Sequence, residues 1–164
     1  MSTSRQTVQS APERRSAEAE LRALIAKHAS AHGRLIGAVR RRLRERLPAA
    51  HELVYEYRSW LVISFSPSEH GYEGVLAVRA DVDGVKLYIN RGKGLPDPEK
   101  LLQGSGGQAR WIGLDSAAKL ARPAVVELID GAIARNPVPF ERNGRGSVVH
   151  RSARSKKRVA RRPA

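Results

Sequence analysis

Residues 51–91 read HELVYEYRSWLVISFSPSEHGYEGVLAVRADVDGVKLYINR, and the fold turns on this stretch. It holds four segments of strand composition, rich in Val, Ile, Leu and Tyr: HELVYEYR (51–58), WLVISFS (60–66), EGVLAVRAD (73–81) and GVKLYINR (84–91). Pro67, Gly71, Asp83 with Gly84, and Gly92 with Gly94 bound them. Parallel neighbours need a crossover of a dozen or more residues, so connections this short impose antiparallel pairing. Asp83 with Gly84 predicts a type I′ hairpin. In the second segment Leu61, Ile63 and Phe65 alternate onto one face, and Trp60 and Val62 onto the other. If the first set lies beneath helices, Trp60 falls on the open face of the sheet, near Glu56, Arg58, Lys86 and Tyr88. These five residues form the expected partner patch, an aromatic among mixed charges.

Working outward from the strands, Leu21, Leu24 and Ile25 recur at helical spacing, as do Leu35, Ile36, Val39, Leu43 and Leu47. The spacing predicts a helix over 17–29 and a second over 31–46, ended by Pro48. Residues 95–108, LPDPEKLLQGSGGQ, read as a loop with one helical turn at 98–102, and ARWIGLD (109–115) as a fifth strand. Pro123 starts a last helix whose apolar face carries Val125, Leu128, Ile129, Ala132 and Ile133, and Asn136 with Pro137 stops it. The resulting class is α+β: a two-layer sandwich with N-terminal helices and a C-terminal helix on one face of a five-stranded antiparallel sheet. A disordered arm is expected over 1–15, the domain over 16–138, and a disordered basic tail over 139–164.

The chain has 164 residues, 41% of them apolar, with 30 Lys plus Arg against 16 Asp plus Glu, for a formal charge of +14. That length suits one domain with a modest core. The charge divides as +7 over 1–49, −1 over 50–140 and +8 over 141–164, a near-neutral middle between two basic ends. Arg accounts for 23 of the 30 cations and Ala for 22 residues, a bias that GC-rich coding also produces. Arg151, Arg154, Lys156, Lys157, Arg158, Arg161 and Arg162 give the tail the chemistry of a polycation, with weak, salt-dependent and sequence-independent affinity for nucleic acid. No aromatic lies among them, so no base-stacking platform is expected there.

Other chemistries find little support. The absence of Cys removes disulfides, thiolate zinc sites and cysteine nucleophiles. No apolar run approaches the roughly 18 residues that span a bilayer, and a cytoplasmic location without membrane contact is expected. His28 and His32 share a helical face but lack a third ligand. Gly104, Gly106 and Gly107 lead into a strand, where a phosphate loop would lead into a helix, and so read as a tight turn. Glu52 and Glu56 alternate onto one strand face without defining a reaction, and Ser64, Ser66 and Ser105 lack a nucleophile elbow. Neither an enzyme nor a cofactor or metal is expected.

The stretches LPDPEKLLQGSG (95–106), WIGL (111–114) before Ser116, and LARP (120–123) together resemble the YdhG-like family of bacterial domains of unknown function, in the frataxin-like structural group. The resemblance covers about residues 20–135. It implies the same helix–sheet–helix order and a protein partner docked on the open sheet face. It also implies an alternative, an iron or metal chaperone that holds iron on carboxylates of the first helix and strand. Here residues 17–46 set Glu18, Glu20 and Glu45 against eight Arg and Lys, a poor cradle for a hard cation.

Overall fold

A computed structural model describes residues 8–151. Helix α1 (Ala11–Ala29) leads through a 3₁₀ turn (Ser30–His32) to α2 (Gly33–Arg46). Strands β1 (His51–Glu56), β2 (Leu61–Ser66), β3 (Leu76–Asp81), β4 (Gly84–Ile89) and β5 (Arg110–Leu114) follow, then α3 (Pro123–Arg135) and β6 (Val148–Arg151). The sheet order is β5-β4-β3-β2-β1-β6. The α+β class holds, but the sheet has six strands and is mixed, because β6 pairs parallel with β1 while all other pairs are antiparallel.

Alternation along every strand sends one set of side chains under the helices. Val54, Leu61, Ile63, Phe65, Leu76, Val78, Val85, Leu87, Ile89 and Ile112 meet Leu21 of α1, Ile36, Val39 and Leu43 of α2, and Val125, Leu128 and Ile129 of α3 in one buried cluster. Leu35 and Ile133, expected inside, are half-buried at its rim.

Four expectations need correction. The expected disordered arm over 1–15 includes the first turn of α1, which begins at Ala11. Ser10 caps that helix, accepting from the Glu13 N–H at 3.2 Å while the Glu13 carboxylate accepts from the Ser10 N–H, with Pro12 in the first turn. The expected tail over 139–164 includes β6, whose Val148 is buried in the core. The side chain of Gln9 donates to the Val148 carbonyl and accepts from its N–H at 2.9 and 3.0 Å, and Arg14 donates to the Gly146 carbonyl at 2.6 Å. Gly146 passes so near the Ala50 carbonyl that any Cβ there would collide with backbone. At the β3–β4 hairpin, Asp81 pairs with Gly84, so the two loop residues are Val82 and Asp83 rather than Asp83 and Gly84. The helical turn expected at 98–102 is a loop held by Asp97, whose carboxylate accepts the N–H groups of Leu101 and Leu102 at 2.9 Å. Gly104 and Gly106 take positive φ in the turn before β5, as the glycine spacing implied.

Candidate binding face of the sheet

Both sides of the sheet carry chemistry, and they differ in kind. On the helix side, Arg40 of α2 sits buried between two carboxylates. Its Nε donates to Glu52 at 2.6 Å, and its two terminal nitrogens donate to Glu18 at 3.0 and 2.9 Å. Burial opposes the charge on Arg40, but its hydrogen bonds to both carboxylates outweigh that and hold the guanidinium above its ordinary value. The same hydrogen bond to Arg40 keeps the Glu18 carboxyl below its usual range. Further along β1, Glu56 accepts from Lys27 at 2.8 Å and lies 2.7 Å from His28 Nε2. These two contacts, Lys27 first, lower its carboxyl as well. Glu52 and Glu56 do share a strand face, as alternation implied, but that face meets the helices. Glu56 therefore leaves the expected open-face patch.

The histidines are dispersed. His32 Nε2 lies 3.2 Å from the Val82 carbonyl, well apart from the His28 contact with Glu56. His51 is buried, and its Nδ1 accepts from the Ser147 N–H at 3.1 Å. Among the described residues no group of three or more His, Asp or Glu is placed to hold a metal ion.

The open side is built from the alternate set: Trp60 and Val62 of the β2 arm, Ala77 and Arg79 of β3, Lys86 and Tyr88 of β4, and Trp111 of β5. Register places Arg79 opposite Lys86 and Tyr88 opposite Trp111. The Tyr57 ring stacks on Trp60 with centroids 5.0 Å apart, and the Arg79 guanidinium lies 4.5 Å from the centre of the Trp60 ring. The Lys86 ammonium lies 4.2 Å from the Trp111 ring, and Tyr88 tilts against Trp111 at 6.4 Å. Burial raises the Tyr57 phenol above its ordinary value, with Arg79 acting in the opposite sense.

A groove of about 270 Å³ runs diagonally over these strands. Val62 and Ala77 form its floor, Tyr57 with Trp60 and then Tyr88 its walls, and Asn90 its far end. The β1 end of the same face is closed: Leu53 and Tyr55 are buried, and Gly71 of the loop after β2 abuts the Tyr55 hydroxyl. At the β3–β4 hairpin end, three carboxylates (Asp81, Asp83 and Asp115) and three cations (Arg79, Lys86 and Lys119) line a second hollow of about 380 Å³. The Asp81 carboxylate there accepts the N–H groups of Asp83 and Gly84 at 2.8 and 3.2 Å.

Of the expected patch, the structure brings Trp60, Lys86 and Tyr88 onto one face, leaves Arg58 exposed in the β1–β2 turn, and puts Glu56 on the other side. Sequence reasoning missed Tyr57, Arg79 and Trp111. Alternation against Val78 and Ala80 marks Arg79 as outward, and alternation against Ile112 marks Trp111. Of the expected nucleic-acid tail, Arg151 belongs to β6 and donates to the Glu69 carbonyl. Arg154, Lys156, Lys157, Arg158, Arg161 and Arg162 lie outside the described residues. No helix among the described residues is long and apolar enough to cross a membrane. Compared with protein-family models, curated proteins and solved structures, the chain matches none.

Proposed function

We propose that this chain is a small non-enzymatic binding or adaptor domain of the YdhG-like kind, working in the cytoplasm, with the open sheet face as its docking surface and the basic tail adding weak, sequence-independent attraction to nucleic acid. One observation carries the reading. Both tryptophans of the chain lie on one sheet face that no described helix covers, each beside a cation without an ion-pair partner among the described residues. Aromatic rings and Arg are the side chains that dominate binding energy where a partner desolvates them.

The iron-chaperone alternative finds no comparable support. Arg40 occupies both oxygens of Glu52, at 2.6 and 3.2 Å, and Glu56 is held by Lys27 and His28. A ferrous or ferric ion would have to displace these cations from the carboxylates that it needs.

Photocrosslinking in the living cell tests the docking reading. A benzophenone side chain in place of Tyr88 should form adducts with one dominant macromolecule, and the same group in place of the exposed Glu127 on α3 should not. Adducts at Glu127 with none at Tyr88 would move the binding surface to the helices and refute the proposal.

A further inference from the structure

The docking reading leaves the occupant open, and this inference rests on it. We infer that the occupant is single-stranded nucleic acid, with a phosphate between Arg79 and Lys86 and a base in the groove beside Trp60 and Tyr88.

Like charges directly opposite each other in an antiparallel pair destabilise a sheet. Arg79 and Lys86 are such a pair. No carboxylate lies within ion-pair distance of either among the described residues, and each cation rests over a tryptophan instead. An anion placed between them would turn this repulsion into a two-point contact. The groove alongside is walled by rings and floored by Val62 and Ala77. At about 270 Å³ it is slightly smaller than the usual pocket for a drug-sized molecule, a size that suits one or two planar rings.

Phosphate and exposed planar ring, repeated along a flexible chain, is the chemistry of single-stranded nucleic acid. Proteins that bind it combine cations on the backbone with aromatic side chains on which bases stack. A duplex offers the phosphates but keeps its base faces inside its own stack. The lining of the groove sets the path, a diagonal from Trp60 past Arg79 and Tyr88 towards Asn90.

Charge argues against two nearer occupants. Residues 152–164 carry six cations and no anion, so the chain's own tail is repelled from Arg79 and Lys86. A second copy would bring the same two cations to the contact.

Because both tryptophans lie on the face, intrinsic fluorescence of the full chain reports on it directly, whereas contact through the tail alone does not. Titration with an oligouridylate of about 12 nucleotides should quench this emission. Arg79→Gln with Lys86→Gln should weaken the quench-detected affinity by about ten-fold or more, as loss of two phosphate contacts requires. A duplex of equal length should leave the emission nearly unchanged. The far-ultraviolet circular dichroism of the double variant checks its fold, and Tyr88→Leu provides a second, uncharged route to the same loss.

Three results would each overturn the inference: binding seen by anisotropy with no quench and unchanged in the double variant, equal quenching by duplex, or tighter quench-detected binding of a poly-glutamate peptide, which would make an acidic protein segment the occupant. If any of these occurs while the Tyr88 photocrosslink still forms, the nucleic-acid occupant fails and the docking face survives. If the crosslink is lost as well, both fail.

Discussion

Arg79 of β3 and Lys86 of β4 stand opposite each other on the open sheet face, and each lies over a different tryptophan, at 4.5 Å from Trp60 and 4.2 Å from Trp111. A cation over an indole gains about 0.5–1 kcal/mol at an exposed site, enough to hold each side chain near its ring without making it unavailable to a stronger partner. The two rings thus keep the cations in place where neither has a carboxylate within ion-pair distance among the described residues.

The opposite side of the sheet makes a different prediction. Arg40 neutralises the buried Glu52, and removing one member of a buried ion pair leaves a charge without compensation. Arg40→Met should cost about 3–5 kcal/mol of unfolding free energy in urea. The double variant Arg40→Met with Glu52→Met should recover most of that loss, since a hydrophobic replacement of both partners is often neutral or better. A double variant no more stable than Arg40→Met would show that the pair is not coupled.

Strand β6 sets where the tail can be cut. A chain ending after Phe140 loses Val148 from the core, worth about 1.5–3 kcal/mol for a buried aliphatic side chain, together with the β1 pairing. It should melt well below the full chain. A chain ending after Arg151 should melt like the full chain, having lost six cations and no anion, so that the formal charge falls from +14 to +8. Its binding to duplex DNA should lose most of its salt dependence: a slope of about −4 to −5 in log affinity against log salt, for four to six phosphate contacts, should flatten. Equal slopes for both chains would leave the tail without a role.

His51 ties the same segment to β1 and predicts a pH effect. Burial holds its imidazole below the ordinary value of 6.5, so the unfolded chain takes up a proton more readily than the folded one. Its contribution to stability is complete above about 6.5 and is lost as the pH falls towards the lowered folded value, by at most about 1.4 kcal/mol per pH unit. His51→Asn keeps an acceptor for the Ser147 N–H but does not titrate. It should flatten the fall in unfolding free energy between about pH 7 and 5. An unchanged pH profile would assign that fall to other groups.

Much of this was legible before folding. Alternation in WLVISFS placed Leu61, Ile63 and Phe65 in the core and Trp60 outside it, and helical spacing found the inner face of α3. The pairing of Trp111 with Tyr88 was not legible, because register depends on how the long connection between β4 and β5 runs. Strand β6 escaped notice because a two-valine segment among Gly and Arg has no strand period of its own and pairs in parallel with a strand almost a hundred residues earlier. The start of α1 is polar on every side, yet Ser10, Pro12 and Glu13 carried a capping signal. Arg40 was not singled out within RRRLRER, although its position four residues after Ile36 sets it on the buried face.

For iron, calorimetry with anaerobic ferrous ion should show no stoichiometric site at low micromolar concentration, because Arg40, Lys27 and His28 already hold the β1 carboxylates. Stoichiometric binding abolished by Glu52→Gln with Glu56→Gln would instead favour the chaperone reading.

Hydroxyl-radical footprinting reads the open sheet face itself, comparing the full chain in buffer with the same chain in extract from the cells that make it. Oxidation of Trp60, Tyr88 and Trp111 should fall together in extract, while that of Tyr72, exposed in the loop after β2, stays as it was. Equal oxidation of the three rings in both samples, or protection confined to α2 and α3, would contradict it.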